Sequence, residues 1–474
     1  MLFLGACSSG SGGNVDAGVD STTDGDVDTL EDVVDGGDAG DAGDDADSGV
    51  EVETVEVSHE RELRGVWIAT VFNINWPSQT GLSAAAQRAE LESLLDVAVQ
   101  ARMNAVFLQV RAESDAFYAS DLEPWSRFLT GTSGSDPGWD PLAVAVDAAH
   151  ERGLELHAWV NPYRALASSN TSAVASSHIV HAHPEFVVPY GDLYWIDPGN
   201  PDGQAHTLSV IEDILTRYDI DGLHFDDYFY PYPEAGIDFP DDATYAAYGG
   251  TLSRDDWRRE NVNQMVAAVH TLVRDIRPDV RFGISPFGIY RPGQPQGITG
   301  LDQWDQLFAD PLAWMETGDV DYIAPQLYWP TTQSGQEYGL LMEWWAEQAV
   351  INGRDLYVGN YLAKLGTSSS WTRTEIETQL AMARNDPRVL GTIQYQIAPL
   401  VEDRDGITSY FRVLNQRPAA TPPIPDALEV PEPPQVTVDG SRITLSGEGR
   451  CFALYIDEEG SWALERLLYS ESDT

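Results

Sequence analysis

Residues 58–416 are predicted to form a (β/α)8 barrel, the TIM-barrel architecture, with long loops after its strands. A disordered acidic N-terminal tail precedes it, and a small C-terminal β module follows. Three observations predict the barrel. Short runs rich in β-branched and aromatic residues alternate eight times with stretches of helical period. Polar and aromatic residues collect after the C-terminal ends of those runs, while the N-terminal ends (Glu62, Asn104, Gly153, Asp219, Asp279, Asp319) are plain. No Gly-rich phosphate loop follows the first run, and the strand count disfavours the alternative, a doubly wound open sheet.

The tail, residues 1–57, holds sixteen acids and no Lys or Arg, and so supplies −16 of the formal net charge of −49. The remaining −33 leaves the folded part acidic as well, which makes nucleic acid a poor partner. Leu4-Gly5-Ala6-Cys7 resembles a bacterial lipobox, with Cys7 as the lipidated residue. The basic n-region and full apolar core of a signal peptide do not precede it. The favoured reading is a lipoprotein start that begins upstream, and the other is a stray Cys. From Asp16 to about Glu56 the chain is Asp, Gly, Ala and Val without an aromatic residue, so disorder is expected. Asp24, Asp26 and Asp28 have calcium-loop spacing, but Thr29 and Asp35 stand where Gly and Glu are required, which leaves a solvated spacer. Cys7 and Cys451 are the only cysteines, so cysteine usage does not report the compartment. No apolar run is long enough to span a bilayer.

The predicted strands cover 63–70, 105–110, 154–160, 221–226, 280–285, 320–328, 356–361 and 389–395. The intervening helices cover 83–101, 140–152, 205–218, 254–276, 310–317, 337–351 and 374–384. Seven prolines between Pro418 and Pro434 predict a stiff linker over 417–434. Residues 435–474 alternate like two or three short strands, with turns at Asp439-Gly440 and Glu459-Gly460.

The candidate site follows from the rule that barrel chemistry is built at strand C-terminal ends. The fourth strand ends in DGLHFDDYFYP, residues 221–231. Leu223 and Phe225 face one side while His224 and Asp226 face the other, towards the interior. Asp227 follows, then Tyr228, Phe229, Tyr230 and Tyr232. Acids beside flat apolar rings suit a carbohydrate site, in which the acids move protons or attack carbon and the rings stack on sugar faces. The plainer alternative is a helix cap and a packed aromatic loop. Similar company elsewhere favours the site. The first strand is followed by Asn75 and Trp76, and the second by Arg111, Glu113 and Asp115. The third supplies His157 and Trp159, then Asn161, Tyr163 and Arg164. Ser285 closes the fifth, Gln326, Tyr328 and Trp329 the sixth, and Asn360 and Tyr361 the seventh. Singly these could be core residues or structural partners; together they point to a site that binds hydroxyls and acetamides. His178, His181 and His183 lack a zinc pattern, and no Gly-x-Ser-x-Gly elbow occurs in the barrel. Carboxylate chemistry without metal or cofactor is the expectation.

Glu62-Leu-Arg-Gly-Val-Trp-Ile-Ala-Thr, Gln109-Val-Arg, Glu123-Pro-Trp-Ser, His157-Ala-Trp-Val-Asn-Pro-Tyr-Arg, the 221–231 segment, Gly283-Ile-Ser-Pro-Phe-Gly and Pro325-Gln-Leu-Tyr-Trp carry a resemblance. They are similar to the bacterial glycosyl-hydrolase-like family that contains the divisome glycosidase of denuded peptidoglycan. The resemblance spans most of residues 60–400 and implies a (β/α)8 barrel, often in an envelope lipoprotein, that hydrolyses glycan strands. The fourth strand also looks like the Asp-Gly-x-Arg-x-Asp element of amylase-type barrels, which implies Asp226 as nucleophile. His224 stands where that element has Arg, and the fifth strand ends Ser285-Pro286 without an acid. The proton donor must then be Asp227, Glu113 or Asp115. Tyr228 occupies the place of the acid in the chitinase-like pattern, which disfavours that mechanism.

The expectation is a cell-envelope glycoside hydrolase acting on peptidoglycan or a related N-acetylated polysaccharide. It would touch the membrane only through a lipid on Cys7; its oligomeric state is left open. The alternative is a non-catalytic glycan-binding lipoprotein on the same scaffold.

Overall fold

The computed structural model describes residues 2–6, 59–425, 435–439, 442–446, 450–458 and 461–469. Eight strands, β1 (Leu63–Ile68), β2 (Ala105–Arg111), β3 (Glu155–Val160), β4 (Gly222–Phe225), β5 (Arg281–Ile284), β6 (Tyr322–Ile323), β7 (Asp355–Asn360) and β8 (Gly391–Gln394), pair in parallel. β8 returns to β1, with Gly391 opposite Leu63, so the barrel is closed. A principal helix follows each strand: α1 (Ala84–Gln100), α2 (Pro141–Glu151), α3 (Pro201–Arg217), α4 (Arg254–Ile276), α5 (Pro311–Thr317), α6 (Tyr338–Asn352), α7 (Arg373–Asn385) and α8 (Ile407–Leu414).

Local chemistry sets the helix starts. Ser83, Asp140, Asn200, Ser253, Asp310 and Thr372 each accept a backbone N–H from the first turn of the helix they precede. Pro141, Pro201 and Pro311 open their helices, where the missing N–H has no partner to lose. Leu223 and Phe225 face outward as expected, and Phe225 meets Phe282 edge-on at 5.3 Å. Inside the barrel a separate apolar cluster includes Leu63, Trp67, Phe107, Trp159, Tyr322, Tyr357 and Ile393. Gly222 and Gly283 make room for it: a Cβ on either would lie 2.2 Å from the ring of His157 or Tyr322.

β6 is shorter than the predicted 320–328. Pro325 has no N–H for the ladder, and the chain leaves it there, touching its neighbours again only where Gln326 bridges Phe287 and Gly359. A small antiparallel sheet of Arg164–Leu166, Leu193–Ile196 and Val187–Tyr190 occupies the loop after β3 and anchors Arg164.

The predicted linker begins inside the barrel's own packing. Asn104 donates to the carbonyl of Ala419 at 3.0 Å, the Glu62 amide to Ala420 at 2.9 Å, and Arg281 to Pro422 at 2.7 Å. Ala419, Ala420 and Ile424 are buried, so residues 417–424 close the floor at the strands' N-terminal ends. Residues 426–434 lie outside the described residues. The C-terminal module pairs Cys451–Glu458 with Ser461–Tyr469, and Gln435–Asp439 pairs with Arg442–Ser446 as a separate hairpin. Leu2–Ala6 adds a third strand along Cys451–Glu458. Cys7, the lipidation candidate, and the acidic stretch after it lie outside the described residues. Arg450 joins the module to the floor through Asp219, Asp221 and Asp279, and Tyr469 stacks on His150 at 4.2 Å.

Candidate active site

A pocket of about 330 Å³ opens at the C-terminal ends of the strands. Trp67, Gln109, Trp159 and Ser285 form its deep end, and Asp226 and Asp227 lie on its wall. Tyr228, Tyr232, Tyr328, Tyr361 and Tyr395 line the sides together with Arg164 and Gln326. Val71, Phe72 and Ile74 form a rim from the loop after β1.

Asp226 is the first residue beyond β4. Its Oδ1 accepts the Tyr228 amide at 3.2 Å, and this turn swings Asp227 into the pocket although its strand parity would send it outward. Oδ2 of Asp226 accepts Trp159 Nε1–H at 3.0 Å and Asn161 Nδ2–H at 2.5 Å. Burial raises the Asp226 pKa above the ordinary carboxylate value, while Arg164 and these three donors pull against it. Asp227 has donors too, Gln326 among them. Tyr232 donates its hydroxyl to it, but burial and the neighbouring Asp226 charge push Asp227 up to about 7. Two carboxyl groups adjacent in sequence thus occupy opposed settings, one ringed by donors and one held neutral into the neutral pH range.

A buried framework aims the donors. Arg111 forms a two-pronged pair with Glu123 at 2.8 and 2.6 Å and donates to the Asn161 carbonyl at 2.5 Å. Although burial works against it, Arg111 and His206 hold Glu123 down at about 2. The Asn161 side-chain oxygen accepts from Gln109 at 2.7 Å and Arg164 at 2.9 Å, which leaves its NH2 for Asp226. The Arg164 guanidinium also lies over the Tyr228 ring, 4.9 Å from its centre.

Of the sequence candidates, Trp159, Arg164, Asp226, Asp227, Tyr228, Tyr232, Ser285, Gln326, Tyr328 and Tyr361 line the pocket. Arg111 and Asn161 lie behind it as supports. The ladder register shifts between Gln109 and Arg111, and Arg111 is enclosed by Glu123 and the Asn161 loop. The remaining candidates are placed elsewhere. Glu113 is paired with Arg127 at 2.6 Å and accepts the Ala167 amide, so its carboxylate is engaged away from the pocket lining. His157 has the inward parity but sits lower, bonded to Glu155 at 2.9 Å and packed on Phe107. His224 shares the face of Asp226 but does not bond to it; its Nε2 faces Trp67 Nε1–H at 3.2 Å and Ser285 at 3.0 Å. Trp67 can only donate, so Nε2 accepts and Nδ1–H donates to the Tyr322 hydroxyl at 2.8 Å. Burial and the nearby His157 keep this ring neutral, with a pKa well below the ordinary value. Trp76 and Tyr163 are fully buried core residues. Trp329 packs edge-on against Phe287 at 5.5 Å. Asn75 ties the Ala69 amide to the Gln396 side chain.

The sequence alone did not mark Trp67, Gln109, Tyr395 and the rim residues Val71, Phe72 and Ile74 as parts of the site. Trp67, Gln109 and Tyr395 carried a signal, inward parity on predicted strands; the rim residues carried none. Among the described residues no group of three His, Cys, Asp or Glu side chains is arranged to hold a metal ion.

The glycosyl hydrolase-like 10 family model matches residues 62–374. The chain is 39% identical over 378 residues to the glycosyl hydrolase YngK of Bacillus subtilis strain 168, a match covering 77% of this chain and 74% of that protein. It is 35% identical over 363 residues to the glycosyl hydrolase DigH of Escherichia coli K12, covering 70% of this chain and 82% of that protein. Among solved structures, the glycoside hydrolase domain of PgaB (BpsB) from Bordetella bronchiseptica superposes with a TM-score of 0.50 at 13% identity. That match covers 75% of this chain and 99% of that chain, and it is a likeness of fold alone.

Proposed function

The chain belongs to the glycosyl hydrolase-like 10 family, and from that premise we propose that it hydrolyses glycosidic bonds in an N-acetylated polysaccharide of the cell envelope, with peptidoglycan glycan as its substrate class. The observation that carries this reading is the pair of buried carboxyl groups on one aromatic-lined pocket, Asp226 ringed by N–H donors and Asp227 beside it, pushed up to about 7 by burial and the Asp226 charge. In hydrolysis one carboxyl protonates the leaving oxygen while the other, ionised, meets the positive charge developing on the sugar ring. Asp227 suits the first role and Asp226 the second, as nucleophile or as the base that activates water. Tyr328, Tyr361 and Tyr395 offer faces to a sugar, and Gln326 a polar group for its substituents. That both relatives are named glycosyl hydrolases supports catalysis over binding alone.

A lipid on Cys7 would hold the barrel at a membrane, with the acidic segment as the tether that lets it reach the wall. Mass spectrometry of membrane-fraction protein reads this directly, and unmodified Cys7 in soluble protein counts against it. Catalysis itself is tested by incubating purified protein with peptide-free glycan strands. Release of soluble saccharides is expected, whereas saturable binding without product would make the protein a glycan-binding lipoprotein.

A further inference from the structure

The loop after β1 contains a bulky residue in an unfavourable place. Phe72 is 59% exposed and Ile74 is 43% exposed, and both line the pocket. Phe72 adopts φ +55° and ψ +20°, and Asn73 follows at φ +54°. This left-handed region is one that large L side chains avoid, and it persists only where the surroundings over-determine it. They do so here. The Asn73 amide donates to Thr70 at 2.9 Å, and its side chain donates to the carbonyls of Pro77 and Phe128, both at 2.9 Å. Asn75 is clamped between Ala69 and Gln396. The Phe72 ring meets Phe128 at 5.8 Å and 69°, an edge contact that leaves ring surface open to solvent. A strained backbone held firmly in order to expose an aromatic ring serves something outside the fold.

We propose that Phe72, with Ile74 beside it, is the apolar platform of a second sugar subsite next to the carboxylates, so that the site grips at least two consecutive units of a glycan. The inference rests on the glycan reading above and concerns a different part of the pocket lining. The ring partner of Phe72 is Phe128, whereas the carboxylates lie among Trp159, Tyr228 and Tyr232. A sugar whose faces carry C–H groups would cover the Phe72 ring and remove its apolar surface from water. The tyrosine cluster, with Tyr328 at 4.4 Å from Tyr361 and 5.8 Å from Tyr395, would hold the neighbouring unit.

The test is equilibrium binding of N-acetylated chito-oligosaccharides of one to five units to the full chain, with melting temperature measured alongside. Wild-type affinity should rise between one unit and longer oligomers. Phe72→Ala and Phe72→Gly should cut the affinity for the longer ones about tenfold, and Phe72→Trp should keep it. Phe72→Gly should not lower the melting temperature, because Gly adopts the left-handed backbone freely. The inference is overturned if Phe72→Ala shows the wild-type dependence on length, or if affinity and melting temperature fall together in Phe72→Gly, which would make the ring structural. Wild-type protein that binds no oligosaccharide would overturn both this subsite and the glycan reading. Binding with the expected length dependence but no hydrolysis would leave the subsite standing and remove only the catalytic reading.

Discussion

Asp226 and Asp227 are the same side chain one position apart, and the turn between them gives them different work. Asp226→Asn keeps the shape and removes the charge. Turnover should fall on the order of 10³-fold or more with the fold intact, read as kcat on glycan strands. Near-normal turnover in that variant would take Asp226 out of the chemistry. Asp227, pushed up to about 7 by burial and by Asp226, must be protonated to act as the acid, so kcat should decline as pH rises through about 7. Asp226 must be ionised, and its raised pKa places the acidic limb of the profile above the ordinary aspartate range. The same shift bears on stability. Between the ordinary value of 3.8 and about 7, folded Asp227 keeps a proton that the unfolded chain has lost. Its contribution therefore weakens as pH rises through that window, and the full penalty of the buried charge is present above it. Asp227→Asn should melt higher than wild type at pH 8 and show a smaller gain at pH 4, while losing activity at both. An equal gain at the two pH values would show that Asp227 is not the group responsible.

The element that prepares Asp226 is β3 together with the turn that follows it. Trp159 and Asn161, two positions apart, deliver N–H groups to one oxygen of Asp226. Gln109 and Arg164 occupy the Asn161 side-chain oxygen, so the amide can present only its NH2. Asn161→Ala removes a donor to the charged form, which should raise the Asp226 pKa further and move the acidic limb of kcat/KM upward, with a loss of about tenfold. An unmoved acidic limb would mean that Asn161 only packs. The strand pattern also shows what periodicity reveals and what it hides. Parity correctly gave His224 and Asp226 a common face. It could not give depth: two residues are about 6.7 Å apart along a strand, enough to put His224 among Trp67, Phe107 and Tyr322 instead of beside the carboxylates. His157 is low for the same reason, against Glu155. Beyond a strand end parity no longer applies, so Trp76, Tyr163 and Trp329, all in loops, could not be told from site residues. Pro325 was a readable sign that the sixth strand stops early, because proline cannot donate to a ladder.

At the scale of the whole molecule the two ends of the barrel do separate jobs: the pocket lies at the strands' C-terminal ends, and the opposite face is a structural seat. Alternation of strand and helix made the barrel legible, because each period reports which face is buried. The floor was not legible, because a run of prolines reads as a spacer and nothing in it announces that its carbonyls are hydrogen-bond acceptors. Arg281 is a buried cation that donates to Pro422 and Tyr357 and lies 3.6 Å from Asp355. Thr421 donates to Glu155, and Arg64 donates to the carbonyl of Arg417. A chain ended after Asn415 loses the bonds to Arg417, Thr421 and Pro422 and those of Ala419 and Ala420, and it bares polar groups the fold had buried, although Arg281 keeps Tyr357 and Asp355. At about 1 kcal/mol for each bond, and more for the charged Arg281, the loss is several kcal/mol, enough to unfold a marginal domain. A chain ended after Pro425 keeps all of them and gives up only the C-terminal module. That removal takes Arg450 from Asp219, Asp221 and Asp279, but Arg277 stays with Asp219 and Asp279. The chain through residue 425 should therefore melt somewhat below full length and retain turnover, while the chain through residue 415 should fail to give a cooperative melt. Thermal unfolding and glycan release on the three lengths decide it. If the chain through 425 melted cooperatively but lost turnover, the module would have a part in the reaction that its place on the floor does not provide.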